Sequence, residues 1–340
     1  MDHAPQVAAE GVRQAWKRAN LSPLWESATA HKPDAGPAQP MTWRWTDVRP
    51  LIEHALAMNS PAAVERRVLL LSNPADPERD VTIGPLCVAL QSLLPGETAR
   101  PHRHSMNAIR LLLEGNGAET LVDGKPCRME YGDLILTPGW CWHEHRHNGS
   151  DPVVWLDALD VPLHEFLGTT AFQPGPINSE LLTLDDAAFD AAGMIPQTVA
   201  GTAPHSPMFR YPFADAKRSV QRAPVLQDGT RRVRYSNPQN GDSAIPLMDC
   251  SLISITPQSG KVPTTTTNCH TVCCVLEGSG TTSIGDTTVT WRERDIFTIP
   301  PGNAVKHDSQ DGILFTVSDR DLLSRLGLLK EGSSEQSAVY

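Results

Sequence analysis

The sequence predicts an all-β-dominated protein made of two similar jelly-roll barrels, with helices confined to the N-terminal region and to the connection between the barrels. Three observations carry this reading. From Val81 to Leu163, short β-branched and apolar runs alternate with Gly, Pro, Asn and Asp turns at a spacing of roughly eight to twelve residues. The same texture returns after about residue 240. Landmarks of the first stretch then recur in the second at a near-constant displacement. Leu113-Glu114-Gly115-Asn116-Gly117 is echoed 163 residues on by Leu276-Glu277-Gly278-Ser279-Gly280, Gly132–Pro138 is echoed 162 on by Arg294–Pro300, and Gly96 by Gly260, 164 on. A fixed displacement over three separate landmarks indicates a duplicated domain.

Composition agrees with that architecture. The 340 residues exceed a usual single domain, and 40% hydrophobic with 20% charged residues is the balance of a chain that buries sizeable cores. No window approaches the roughly 18 uninterrupted apolar residues of a bilayer span. The start, Met1-Asp2-His3, has neither the basic residues nor the apolar stretch of a secretion signal, so the cytoplasm is the expected compartment. The seven cysteines form no C-x-x-C pair and read as small buried hydrophobes. A net charge of −10 argues against nucleic acid, and it means that an anionic ligand needs local arginines to reverse the field.

The elements follow in order. Val12, Ala15 and Trp16 give the Val7–Ser27 stretch helical spacing, closed by Asn20-Leu21-Ser22-Pro23. The Pro-rich stretch from Lys32 to Pro40 reads as an extended arm, and Thr46 to Met58 as a second helix, with Pro50 tolerable in a first turn. The strand runs of the first β unit are Leu86–Leu94, Ile109–Leu113, Thr120–Val122, Leu134–Thr137 and Val153–Leu159. Between them lie the turns Pro95-Gly96, Glu114–Gly117, Asp123-Gly124 and Tyr131-Gly132-Asp133. The expected division is a helical arm at 1–65, a first barrel at 66–170, a crossover at 171–240, a second barrel at 241–325 and a tail at 326–340.

Six of the twelve histidines fall between His102 and His164. His102 and His104 are separated by one residue, so on a strand both imidazoles share a face. His143 follows the Pro138-Gly139-Trp140-Cys141-Trp142 turn on a later strand that a barrel brings opposite. Three neutral imidazoles suit a first-row divalent metal and leave coordination positions open. The alternative is a surface histidine cluster without metal.

These residues resemble the cupin superfamily. The first cupin motif is matched by Gly96-Glu97-Thr98-Ala99-Arg100-Pro101-His102-Arg103-His104 and on to Gly115, and the second by Gly132, Pro138 and His143. The Glu ligand usual in the first motif is missing, since Ala108 and Ile109 stand there, so the chain looks like the three-histidine variety. The closer similarity is to gentisate 1,2-dioxygenase and its relatives acting on salicylate and 1-hydroxy-2-naphthoate. It rests on His102–Arg110, Glu114-Gly115, Pro138, Trp140, Trp142-His143, His145 and Val154-Trp155-Leu156-Asp157, with weaker similarity including Asn20–Trp25. In the second copy the ligand positions become Thr266, Asn268 and Val305 at the displacements above, so the second barrel is expected to be metal-free.

The resemblance implies a ring-cleaving dioxygenase. One Fe(II) per chain, held by His102, His104 and His143, would act with O2 on gentisate or a 5-substituted salicylate such as 5-nitrosalicylate. The ring would open between the carboxyl- and hydroxyl-bearing carbons with both oxygen atoms incorporated. A homotetramer is implied by the family as well. Among the site residues, Arg110 is the candidate partner of the substrate carboxylate: counting by twos from His102 places it on the same interior, amid Leu111–Leu113. His145 shares the face of His143, either as an acid–base group or as a support. Gln91, on the alternation of Cys87 and Ala89, is a candidate for the distal ring substituent, Arg66 for the carboxylate and Asp157 for orienting the pocket. Trp142 either walls the cavity or fills core. The salicylate-active relatives carry a bulkier aromatic residue at the Cys87 position, and Cys141 replaces a small hydroxyl residue, which keeps substituted salicylates in view. Two other readings stand beside this one: a non-catalytic bicupin that binds a ligand, and a cupin isomerase or decarboxylase that takes up no oxygen.

Overall fold

A strand buried on one face alternates apolar and polar residues, whereas a strand buried on both faces is apolar throughout. Cys87–Leu93, Ala108–Glu114 and Val153–Leu159 are of the second kind: of their 21 positions only Glu114 and Leu159 are not buried. The computed structural model explains why. It describes residues 39–58, 66–74, 81–175, 184–191, 194–197, 203–257 and 262–333, together with positions 14 and 18. The chain divides into two compact segments, Met1–Ala38 and Gln39–Tyr340, and the later segment holds the fold described below, in which each jelly roll is one unit. The predicted helix at Val7–Ser27 lies outside the described residues except for Gln14 and Arg18, both helical, and the arm from Lys32 lies outside them except for Gln39 and Pro40.

Within Gln39–Tyr340 the chain forms two jelly rolls, each a pair of antiparallel sheets, as the duplication predicts. After β1 (Thr42–Trp43), α1 (Trp45–Met58) and β2 (Val68–Leu70), the first jelly roll runs through eight strands. These are β3 (Cys87–Leu93), β4 (Thr98–His104), β5 (Ala108–Glu114), β6 (Ala118–Val122), β7 (Lys125–Arg128), β8 (Leu134–Thr137), β9 (His143–His147) and β10 (Val153–Leu159). The crossover carries α2 (Val161–Leu167), β11 (Phe172–Pro174), β12 (Arg210–Tyr211), α3 (Phe213–Arg222) and β13 (Thr230–Arg234). The second jelly roll repeats the pattern in β14 (Asp249–Ile255), β15 (Thr265–Thr267), β16 (Thr271–Glu277), β17 (Ser279–Ile284), β18 (Thr287–Arg292), β19 (Ile296–Ile299), β20 (Val305–Ser309) and β21 (Ile313–Ser318). α4 (Arg320–Arg325) and β22 (Glu331–Ser333) close it.

The first unit has sheets ordered β12-β8-β5-β10-β3-β2 and β11-β4-β9-β6-β7; the second has β1-β19-β16-β21-β14-β13 and β18-β17-β20-β15-β22. The inner faces of each pair enclose that unit's interior. The outer faces of the two six-stranded sheets share one core, in which Ile109, Leu111, Leu136 and Leu156 join Leu252, Val272, Cys274 and Phe315. That shared layer is why these strands read as continuous apolar runs, and why a charge at Arg110 stands out. All seven cysteines are free and buried, in keeping with their reading as small core residues.

The edges reveal an exchange the sequence did not disclose. β1, which precedes the first unit, pairs with β19 of the second, and β12, which precedes the second, pairs with β8 of the first. The two junctions match in detail. Asp295 accepts the Trp45 N–H at the start of α1 at 2.8 Å, and Asp133 accepts the Phe213 N–H at the start of α3 at 2.9 Å. Arg49 of α1 reaches Glu114, and Lys217 of α3 reaches Glu277, each at 2.7 Å. The duplication therefore includes β1-α1 and β12-α3, which share little sequence. In α1 the proline falls later than expected: the helix begins at Trp45, so Pro50 is its sixth residue and lies beyond the first turn. Among the described residues no helix is long and apolar enough to cross a membrane.

Candidate metal centre

β4 and β9 are neighbours in the five-stranded sheet of the first unit, and their register sets His102 opposite His143. His104, two residues along β4, shares the face, as strand alternation requires. The His102 and His143 ring centroids are 4.2 Å apart, those of His104 and His143 4.8 Å, and those of His102 and His104 5.7 Å. One nitrogen from each lies within 4.8 Å of the others, and all three side chains are buried.

The backbone sets which nitrogens converge. Each Nδ1 sits against a main-chain carbonyl: His102 on Arg100 O at 2.8 Å, His104 on Met106 O at 2.8 Å and His143 on Cys141 O at 3.0 Å. A carbonyl only accepts, so Nδ1 carries the proton and the lone pair is left on Nε2. Nε2 of His104 and of His143 has no hydrogen-bond partner among the described residues. Burial is the main reason that His102 is pushed down to about 3 and His104 to about 4, with Arg66 and Arg110 respectively as the next causes. His143 falls well below the ordinary value for the same reason, reinforced by Arg110. Neutral, oriented and desolvated imidazoles are what a divalent first-row metal needs, and the donor set fits one.

Loops on either side hold the set in place. Asp160 accepts both the backbone N–H and the side-chain amide of Asn107 at 2.8 Å, and Asn107 Oδ1 accepts the Gly139 N–H at 3.0 Å. The Trp140 N–H donates to His104 O at 2.7 Å. The segment after His104 is thereby tied to the segment before His143.

The six-stranded sheet supplies the opposite wall. Arg110, Asp157 and Ala89 are lateral neighbours across β5, β10 and β3, and Gln91 lies opposite Trp155 one step along. Trp155 reaches across to His145, with ring centroids 5.3 Å apart, so this face and the histidine face enclose one space. Cys87 lies on the same face, opposite Leu159. Arg110 therefore faces the interior, although not by the alternation that pointed to it. β4 ends at His104, residues 105–107 turn, and β5 belongs to the other sheet.

Polar atoms without partners collect here. Arg110 is only 3% exposed; its Nη1 donates to Thr137 Oγ1, while its Nε stands 3.2 Å from Asp157 Oδ1 without hydrogen-bonding alignment. Asp157 Oδ2 accepts the Trp155 indole N–H at 3.1 Å. Burial raises the Asp157 carboxyl and Arg110 opposes that rise. His145 Nδ1 contacts Thr120 Oγ1 at 2.9 Å, and among the described residues neither its Nε2 nor the Gln91 amide nitrogen has a hydrogen-bond partner. Unpaired buried donors cost about 1–3 kcal/mol each, so several around one space mark where a ligand's acceptors belong.

Arg66 comes to the mouth of this space, with Nη1 3.0 Å from His102 Nε2 and its guanidinium over the Phe172 ring at 5.8 Å. Arg67 instead pairs with Glu97. Trp142 is not brought to the site. The Arg103 guanidinium stacks over both Trp140 and Trp142, 4.4 and 4.7 Å from the ring centroids, and Arg103 lies between His102 and His104 on the strand, hence on the outer face. Three residues escaped sequence reasoning. Thr120 and Thr137 position His145 and Arg110, and as strand threonines they carry no distinguishing signal. Phe172, which stacks on His102 at 5.5 Å, lies in the crossover and reaches the site only because β11 pairs with β4.

The second unit differs at every ligand position. The register sets Thr265 opposite Val305, as His102 is set opposite His143. Thr265 and Thr267 therefore replace the first two histidines, a one-residue correction to the Thr266 and Asn268 that constant displacement suggested. What persists is the pair beside them: His307 Nδ1 meets Thr282 Oγ1 at 2.9 Å, as His145 meets Thr120.

Comparisons with known proteins agree with this geometry. The cupin domain family matches residues 89–159. The chain is 32% identical to gentisate 1,2-dioxygenase 1 of Aquipseudomonas alcaligenes, covering 92% of each chain. It is 31% identical to 5-aminosalicylate 1,2-dioxygenase of a Comamonas species, over 96% of this chain and 90% of that one. The crystal structure of salicylate 1,2-dioxygenase from Pseudaminobacter salicylatoxidans superposes with a TM-score of 0.87 at 26% identity, over 97% of this chain and 98% of that one.

Proposed function

Since the chain belongs to the gentisate 1,2-dioxygenase family of ring-cleaving enzymes, we propose that it opens gentisate or a 5-substituted salicylate such as 5-nitrosalicylate. The bond cleaved is the one between the carboxyl- and hydroxyl-bearing carbons, and both atoms of O2 enter the product. The observation that carries this reading is the pairing of three neutral, convergent imidazoles with a buried guanidinium across one interior. We assign one Fe(II) per chain to His102, His104 and His143; when bound it would supply the redox and Lewis-acid chemistry that joins O2 to an electron-rich ring.

The roles of the chain's own residues follow from what each can offer. A hydroxybenzoate brings a carboxylate into a desolvated space, and an unpaired charge there costs several kcal/mol. Arg110 lies inside that space and Arg66 at its mouth, so both answer that charge, while Asp157 beside Arg110 balances the guanidinium when the space is empty. His145, neutral because burial keeps its imidazole well below the ordinary value, presents Nε2 for proton exchange with the substrate hydroxyl. The Gln91 amide meets the distal substituent, and the small Cys87 and Ala89 side chains leave room for it at position 5. We further assign the enzyme to the cytoplasm, in keeping with seven unpaired cysteines, and to a homotetramer by family membership.

An oxygen electrode and ultraviolet spectra decide the matter. The chain is reconstituted anaerobically with ferrous iron and offered gentisate, salicylate, 5-nitrosalicylate and 1-hydroxy-2-naphthoate in turn. One equivalent of O2 consumed per ring opened supports the reading. Product formed without oxygen uptake would indicate an isomerase or decarboxylase, and no turnover of any of the four would indicate a binding protein.

A further inference from the structure

The interior of the second jelly roll is only partly filled by its apolar cluster, which includes Val275, Trp291 and Phe297. A cavity of about 550 Å³ opens there on the face that corresponds to the metal centre of the first unit, a size within the usual range for small-molecule sites. Its floor holds Thr265, Thr267 and Val305 in place of the three histidines, so no metal is called for. We infer that this cavity binds a small organic monocarboxylate with an apolar body, at a site separate from the metal centre.

The chemistry of the lining selects that class. Arg232, Arg234 and Arg320 line it together with Asp249 and Glu331, and Asp228 pairs with Arg232, so three guanidinium groups gather beside three carboxylates in a chain of net charge −10. Arg320 is fully engaged, with Nε and Nη2 on the two oxygens of Glu331 at 2.9 and 2.8 Å and Nη1 3.5 Å from Asp249. Arg232 uses Nε on Thr230 and Nη2 on Asp228, and Arg234 uses Nε on Asp249 and Nη2 on Ser243. Among the described residues each keeps Nη1 without a hydrogen-bond partner. Two guanidinium Nη1 groups suit the two oxygens of one carboxylate, and the neighbouring Asp228, Asp249 and Glu331 disfavour a phosphate dianion.

A further donor comes from below. Thr282 Oγ1 accepts the Trp291 indole N–H and lies against His307 Nδ1, each at 2.9 Å; with the hydroxyl hydrogen directed to Nδ1, the ring proton sits on Nε2. His307 lines the cavity and is buried and neutral there. Thr265, Thr267 and Ser251 add hydroxyls, while Ile253, Ile299 and Val305 supply the apolar wall for the body of the ligand.

The arrangement is not a worn copy of the first site. Arg232 and Arg234 occupy the β13 positions opposite Ile253 and Ser251, where β2 of the first unit carries Val68 and Leu70 opposite Gln91 and Ala89. The second unit has lost three ligands and gained two cations aimed at the same interior.

Calorimetric titration of the iron-loaded full chain with benzoate tests this. The wild type is expected to bind two equivalents per chain, one at each interior. Thr265→Leu, which fills the cavity without removing a charge, and Arg232→Gln should each leave one equivalent and unchanged oxygen-uptake kinetics. Crystals soaked with 4-iodobenzoate should show iodine in the second cavity. A single equivalent in all three proteins, iodine at the histidines alone, or displacement of benzoate from the second site by equimolar inorganic phosphate would overturn the assignment. The same holds for occupancy seen only at soaking concentrations, with no calorimetric counterpart. Failure of the dioxygenase reading would leave this test intact, since it counts benzoate and not turnover.

Discussion

His102 and His143 face each other directly across β4 and β9, their ring centroids 4.2 Å apart. The ladder between the two strands fixes that pairing, so the candidate metal centre is built into the sheet and needs no loop to close on it. Rigid placement of this kind keeps ligand nitrogens in position before any metal arrives.

Replacing His143 should therefore abolish metal binding without unfolding the sheet. His143→Ala is expected to lower metal affinity by more than ~100-fold, beyond the ~10- to 100-fold of an outer-shell change. Metal content after dialysis, measured by emission spectroscopy, should drop to background while the near-ultraviolet circular dichroism keeps its shape. Thr120→Val, which removes hydroxyl contacts to His145 and Met129 and none to the three histidines, should retain the metal and lose rate.

Arg110 and Asp157 form a buried pair, 3% and 5% exposed. Removing one partner strands the other charge, at a cost of about 3–5 kcal/mol, whereas replacing both by apolar groups is often close to neutral. Arg110→Met should thus destabilise strongly in urea unfolding, and Arg110→Met with Asp157→Leu should recover most of the loss. Neither protein should turn over a hydroxybenzoate. If the double variant regained activity, Arg110 would have no role in binding the carboxylate.

Burial lowers the His307 imidazole to about 3, against an ordinary value near 6.5. Between those limits the unfolded chain binds a proton that the folded chain refuses, so stability falls as the pH drops below about 6.5 and is unaffected above it. The slope from this group approaches about 1.4 kcal/mol per pH unit. Urea midpoints at pH 7 and pH 5 should accordingly lie closer together in His307→Gln than in the wild type.

The exchanged strands predict a local failure. Asp133, 2% exposed, accepts the Phe213 N–H and the Arg210 side chain, at 2.9 and 2.8 Å. Asp133→Ala strips the acceptor from the Phe213 N–H and, among the described residues, leaves the Arg210 guanidinium only its contact to Glu130, 3.4 Å away, and hydrogen bonds to a charged group are each worth about 1.5–3 kcal/mol. Hydrogen exchange should rise first in β12 and the start of α3. Asp295→Ala should produce the matching effect at β1 and α1, in the other half of the molecule.

Much of this was legible from residue spacing. The His102-x-His104 pair needed only strand alternation, and the duplication needed only the repeated Glu-Gly and Asp-to-Pro landmarks. The alignment of the two copies by constant displacement missed by one residue at Thr265 and Thr267, because β4 carries a register shift between Ala99 and His102 that spacing does not reveal. For Trp142 the residue pattern left two roles open, cavity wall or core, and in the fold it lies instead under the Arg103 guanidinium on the outer face.

By itself the sequence determined the local geometry: which residues alternate, where turns fall, and which side chains carry donors a metal accepts. Those properties depend on neighbours along the chain. Only the tertiary structure decided which faces enclose a common space, placing Arg110 and Gln91 across from the histidines, Phe172 beside them, and β1 and β12 on each other's units. Such pairings are made between strands far apart in sequence, where the burial of whole faces, not the character of any one segment, selects the partner.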